Sequence, residues 1–267
     1  MKNMTVNDIL NCITEIAPLQ WQESYDNAGL QVGDLNAEAH KALVCLDITE
    51  EIVDEAVAKD CDVIVSHHPL IFRGLKHLSP ETYIERAVMK AVKHDIAMIS
   101  MHTNLDNSYL GVSRVLAERL GLRDLHILQP VTEDPDLCGA GMVGEFETAM
   151  QELDFLALVA DTIKSPCLRH SALTGCKVKK VALCGGSGSP FMQDALSQKA
   201  DAYLTADIKY HDFFIPEGRI LLVDGGHFET EQFTKVLICD LIRKKFPTFA
   251  AEIAETRTNA VHYFVRN

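Results

Sequence analysis

Two adjacent histidines, His67 and His68, close the apolar run of "VIVSHHPLIF", with Pro69 stiffening the turn that follows. Imidazoles pack poorly in pairs, so a strand end that presents two is either an exposed loop or a metal site. Two further apolar runs end in the same kind of residue. "IAMISMHTNLD" brings His102 and Asp106, and "ILLVDGGHFETE" brings His227 and Glu231. Ligands of open α/β sheets collect beyond the carboxyl ends of parallel strands. If these three strands are neighbours, their ends gather His67, His68, His102, Asp106, His227 and Glu231. Imidazole nitrogen and carboxylate oxygen, without thiolate, suit Zn²⁺, Mn²⁺, Fe²⁺, Co²⁺ or Ni²⁺ and do not choose among them.

Spacing refines this inventory. Successive side chains diverge at a strand end, so His67 and His68 are expected to serve different ions. His227 and Glu231, four residues apart, share a face if a helix follows the turn at Gly225 and Gly226. Glu231 has two oxygens and the reach to bridge two ions, which an imidazole lacks. Bound water would complete the open positions, as in two-metal hydrolytic centres.

Two other stretches invite a functional reading. "VALCGGSGSPF" reads as a strand, then Gly185, Gly186, Ser187 and Gly188, then a helix from about residue 190. That shape can cradle a phosphate on backbone N–H groups, although it lacks the Lys-Ser/Thr of a P-loop, and a plain glycine turn is the alternative. In "TADIKYHD", Asp207 and His211 would share a helical face, making His211 a candidate general acid or base. His102 is the companion catalytic candidate, the alternatives being to orient a metal ligand or to pack in the loop.

The elements that must position these residues alternate in type. Strands are expected at 41–47, 62–67, 96–102, 179–184, 201–206, 219–225 and 261–265, and amphipathic helices at 50–59, 82–93, 110–120, 190–199 and 229–245. Ile9, Leu10, Ile13 and Ile16 recur at helical spacing near the N-terminus, with Thr5 or Asn7 as cap. This βαβα rhythm implies an α/β fold with largely parallel or mixed sheets flanked by helices. The turn-rich stretch from about 126 breaks it. It predicts two lobes, one from 1–125 and 220–267, the other, 126–219, inserted between them.

Composition sets outer bounds. The chain has 267 residues, 47% hydrophobic and 24% charged, as in an ordinary soluble domain or two. No apolar run approaches a membrane span, and the N-terminus does not read as a signal peptide, so a cytoplasmic location is expected. A net charge of −13 disfavours nucleic-acid binding. Eight scattered cysteines form no CxxC pair and read as reduced, mostly buried thiols.

The ordered set "YDNAGLQVGD", "SHHPLIF", "HTNLD", "GGSGS" and "GGHFETE" resembles the NIF-three-like family of GTP cyclohydrolase I type 2 homologues, nearly end to end. The resemblance implies a dinuclear metal centre at the interface of two α/β lobes, within a ring-shaped hexamer. It implies as ligands His67, His68, Asp106, His227 and Glu231. Two departures stand out: Tyr25 where the family usually has tryptophan, and Ala206 where it usually has glycine. The expected function is metal-dependent hydrolysis of a nucleotide or phosphorylated heterocycle; in cyclohydrolase chemistry water would attack purine C8. The alternative is a non-enzymatic metal carrier or hexameric scaffold.

Overall fold

A computed structural model of the chain describes residues 4–134 and 136–264. They form two compact units, one built from the chain up to Leu105 with Thr234–Ala260, the other from Asp106–Phe233 with the segment from Val261 onward.

In the first unit, α1 (Val6–Thr14) begins at a capping box in which Thr5 and Asp8 satisfy each other's backbone N–H groups. Such a cap contributes roughly 1 kcal/mol. The sheet contains β1 (Gly29–Val32), β2 (Lys41–Cys45), β3 (Val63–Ser66), β4 (Ala97–Ser100) and β11 (Ala250–Ile253), in the order β1-β4-β3-β2-β11. Only β1 runs antiparallel, against β4; the others are parallel. Helices α2 (Glu50–Ala58), α3 (Tyr83–Lys93) and α9 (Thr234–Lys245) complete the unit. Leu43, Cys45, Ile64 and Met98 pack on one face with Ile52, Val53, Ala87 and Val88.

The second unit is entered through α4 (Thr103–Asp106) and continues with α5 (Val112–Leu120), β5 (Arg123–Pro130), β6 (Gly139–Gln151), α6 (Glu152–Ile163), β7 (Arg169–His170), β8 (Lys177–Leu183), α7 (Met192–Ser197), β9 (Ala202–Thr205), β10 (Leu221–Asp224) and α8 (His227–Glu231). Its sheet order is β5-β6-β8-β9-β10-β7, parallel across β8, β9 and β10. Alternation divides the buried strands between two cores. Val181, Leu183, Leu204 and Val223 face one way with α5 and α6 residues; Ala182, Tyr203 and Leu222 face the other with Met192 and Ala195.

The sheet pairing corrects three expectations. Strand β10 pairs with β9, and β5 with β6, so neither 220–233 nor 106–125 belongs with the first unit. Buried parallel strands are all short apolar runs, and their sequence does not say which sheet receives them. For the same reason the strand before "GGHFETE" is not a neighbour of the two before "SHHP" and "HTNLD". Residues 261–264 form no strand, and Val265 lies outside the described residues.

Candidate functional site

The first unit gathers three imidazoles at the carboxyl ends of adjacent parallel strands. His67 and His68 follow β3, and His102 follows β4 beyond Met101. Their ring centroids lie 4.8 Å (His67–His68), 5.4 Å (His67–His102) and 5.4 Å (His68–His102) apart. One ring nitrogen of each comes within 4.8 Å of the others. His67 and His68 therefore do not diverge as expected, because the strand ends at Ser66 and the chain turns there.

Each ring is held by its Nδ1. His67 Nδ1–H donates to the Met101 carbonyl at 2.8 Å, His68 Nδ1–H to Asp47 at 2.7 Å, and His102 Nδ1–H to Asp26 at 2.7 Å. A carbonyl or carboxylate oxygen can only accept, so each Nδ1 carries a proton directed at its support. The supports are themselves fixed. Asp47 accepts from Thr258 Oγ1 at 2.9 Å; Asp26 accepts from the Thr103 N–H at 3.0 Å and from the Thr103 hydroxyl. Burial alone would raise the Asp26 pKa, but the hydrogen bonds from His102 and Thr103 bring it down to about 2. An imidazole backed by a carboxylate is the usual support of a metal-ligating histidine.

The second unit repeats the arrangement with other residues. Three parallel strands, β8, β9 and β10, deliver Gly185–Gly186, Asp207 and His227 beyond their carboxyl ends. His227 opens α8 and Glu231 ends it, one turn on, with His227 Nε2 and Glu231 Oε2 3.0 Å apart. His227 Nδ1–H donates to Asp207 at 2.7 Å. Burial would lower the His227 pKa, yet hydrogen bonds to Asp207 and Glu231 outweigh it and push it up to about 11. Asp106 closes α4, and one of its carboxylate oxygens lies within 4.8 Å of one from Glu231. Burial, joined by these two carboxylates, raises the pKa of the Cys184 thiol. A divalent cation fits such a donor set, replacing the Nε2 proton of His227 and neutralising paired carboxylates.

Asp207 adopts a left-handed backbone with φ of +55°, whereas its neighbour Ala206 does not. The family's glycine at 206 is thus not required for this geometry. Asp224 steadies the loop by accepting from the Ile208 N–H at 3.1 Å, the Gly226 N–H at 3.1 Å and the Arg169 guanidinium.

Two candidates are displaced. His211 does not share a helical face with Asp207; it is exposed on a 3₁₀ turn, Tyr210–Phe214, with its ring against Tyr210 and Phe214. The partner of Asp207 is His227. The amides of the glycine loop are likewise engaged: Gly185 N–H donates to Ser113, Gly186 N–H to Thr230, and Gly188 N–H to Thr205. Three of the four residues read as a phosphate cradle thus have no amide to offer one, and only Ser187 is exposed. Asp26 and Asp47 went unassigned in the sequence. Their signal is faint: Asp47 follows the second strand, and Asp26 lies in "YDNAGL".

A profile of the Duf34/NIF3 (NGG1p interacting factor 3) family matches residues 4–260. A GTP cyclohydrolase 1 type 2 homolog of Clostridium perfringens is 33% identical over 245 residues, covering 91% of this chain and 92% of that relative. The crystal structure of Staphylococcus aureus hypothetical protein SA1388 superposes with a TM-score of 0.91 at 28% identity, covering 98% of this chain and 100% of the other. A Bacillus cereus protein related to NIF3 shares the fold, with a TM-score of 0.89 at 22% identity, over 99% and 100% of the two chains. Matched along nearly its whole length, this chain belongs to the Duf34/NIF3 family.

Proposed function

We propose that the chain binds two divalent metal ions through His67, His68, Asp106, His227 and Glu231, and acts as a metal-dependent hydrolase on a nucleotide or phosphorylated heterocycle. One observation carries the reading: the Nδ1 of every proposed histidine ligand is committed to a carbonyl or carboxylate, so the ring atom each would give a cation is Nε2. The name shared by its relatives, GTP cyclohydrolase 1 type 2 homolog, supports the substrate class. When bound, such ions supply Lewis acidity and acidify water. The protein's own part is orientation. Met101, Asp47 and Asp207 fix the rings, and Glu231 has the two oxygens needed to bridge.

A second reading, a metal carrier without turnover, is favoured by the engaged amides of the glycine loop, which remove the expected phosphate cradle. Turnover by the metal-loaded protein across a panel of nucleotides separates the two. Hydrolysis of any member supports the enzyme; none across the panel, with ions exchanging readily to an apo-acceptor, supports the carrier. Elemental analysis tests the ligands. Glu231→Gln should lower occupancy at both ions, and His67→Ala or His68→Ala mainly one, with circular dichroism as the folding control. Two full ions in Glu231→Gln alongside none in a histidine variant would sink the bridging role. Absence of metal from the wild-type protein would sink the whole reading.

A further inference from the structure

Resting on the hydrolase reading, we infer that the 3₁₀ turn Tyr210–Phe214 is a substrate subsite. Tyr210, His211 and Phe214 form a platform on which the planar heterocycle of the substrate stacks, with Lys209 beside it for the phosphate. Chain order places the turn. Asp207, which accepts from His227 at 2.7 Å, precedes Tyr210 by three residues, at most about 11 Å of chain. The platform therefore stands beside the donors of the second unit rather than among them, as a subsite for the part of a ligand that does not react.

Two apolar residues of the segment face inward and fix it. Ile208 is buried, and Phe213 packs on the core that includes Tyr203 and Leu222. The Ile208 N–H donates to Asp224 at 3.1 Å, and its carbonyl accepts from Arg169, whose guanidinium lies 5.3 Å from the Phe213 ring centroid. The Asp212 N–H donates to the Lys209 carbonyl at 2.9 Å and the Ile215 N–H to the Asp212 carbonyl at 3.1 Å, closing the turn. On that base the other rings face solvent. Tyr210 is 73% and Phe214 63% exposed, and His211 is exposed as well. Their centroids lie 5.3 Å (Tyr210–His211), 5.6 Å (Tyr210–Phe214) and 6.5 Å (His211–Phe214) apart. Contiguous rings left in water forgo burial and mark a binding surface. Rings already held in place lose little freedom when a planar ligand lies on them. Rings alone would serve a protein partner as well, and Lys209 decides for a phosphorylated ligand. It adjoins Tyr210, is exposed and joins no ion pair among the described residues, in a chain of net charge −13.

2-Aminopurine riboside 5′-triphosphate, whose fluorescence falls when the base stacks on an aromatic ring, tests this on the full metal-loaded chain. Titration should quench it. Tyr210→Ala and Phe214→Ala should each weaken binding roughly fivefold or more, the lower end for a base stacked on a ring, and lessen the quench. Tyr210→Phe should retain both. Lys209→Ala should weaken the triphosphate and leave the free riboside unaffected. Metal content and circular dichroism should match the wild type in every variant. Folded alanine variants that bind and quench like the wild type overturn the inference. So does a change in assembly mass by light scattering with affinity unchanged, which would assign the rings to a second copy of the chain. If the wild-type chain hydrolyses a nucleotide while the ring variants are silent, this inference alone fails. If it neither binds nor hydrolyses any, the hydrolase reading fails with it.

Discussion

At Gly186 a side chain would enter a carboxylate. A Cβ built there meets Glu231 Oε1 at 2.0 Å and Cδ at 2.9 Å, and the backbone has φ of +63°. The glycine therefore lets the loop lie directly on Glu231. Gly186→Ala should displace that carboxylate and lower metal content, besides the roughly 1–2 kcal/mol cost of a left-handed non-glycine residue. Gly175→Ala is the control. Its φ is +77°, and nothing lies within 4 Å of the added methyl. Elemental analysis should find the Gly175 variant fully loaded and the Gly186 variant depleted; equal loading would show that Glu231 is not pressed by the loop. The glycines were legible in the sequence as a turn, but their neighbour was not, because Glu231 is remote in the chain. The histidine supports were hidden in the same way. Asp47 lies 21 residues from His68, and Asp26 lies 76 from His102, so no local pattern joins them.

Among the elements, those with a strong period or a continuous apolar run were readable. Strands β2, β3, β4, β9 and β10 fall inside segments marked from sequence, as do α2, α3, α5, α7 and α9, while β8 and α8 overlap theirs but begin two residues earlier. What escaped were strands without such a signal. β1 is a half-buried run holding Gly29 and Gln31, and β6 carries three glycines and a register shift between Glu145 and Met150. "VHYFV" failed in the opposite sense: it alternates like a strand, but 261–264 form none. The end of the first unit's sheet is instead held by side chains of α2. Glu55 accepts from Lys59 at 2.8 Å and from the backbone N–H groups of Glu255 and Thr256 at 2.8 and 2.9 Å. Burial would raise its pKa, but these bonds bring it down to about 2 from the ordinary 4.5. A depressed carboxylate contributes stability that is complete above its unfolded pKa and withdrawn as pH falls through the folded one. The contribution should hold above pH 5 and fade between about 4.5 and 2. Glu55→Gln should thus cost on the order of 1–2 kcal/mol near pH 6, a difference that closes near pH 2. Melting curves of both proteins across that range give the answer; a gap independent of pH would assign the loss to packing.

For the whole molecule, composition excluded more than it identified. No helix among the described residues is long and apolar enough to cross a membrane. All eight cysteines are thiols, six of them buried, and burial raises the pKa of Cys45, Cys61 and Cys184 further from reactivity. Assembly is the property that sequence pattern alone does not reach, since it depends on surfaces rather than on strands. Under the family reading we expect a closed symmetric oligomer, a hexamer. Light scattering at micromolar concentration and physiological salt should report six times the chain mass, and a monomer would contradict it.

The order of the segments has a consequence for how the protein is made. A ribosome releases Asp106–Phe233 as one continuous stretch, so every strand of the second sheet is available before α9 and β11 exist. The first sheet must wait. Its strand β2 has β3 on one side from early in synthesis, but its other edge pairs in register with Ala250–Ile253, which follow the whole of Asp106–Phe233. Until they do, "KALVC" presents an unpaired apolar edge, a template for another chain. Strand β11 is therefore the seal of a half-built sheet, and a nascent chain halted before residue 250 is a natural client for a chaperone that shields β edges.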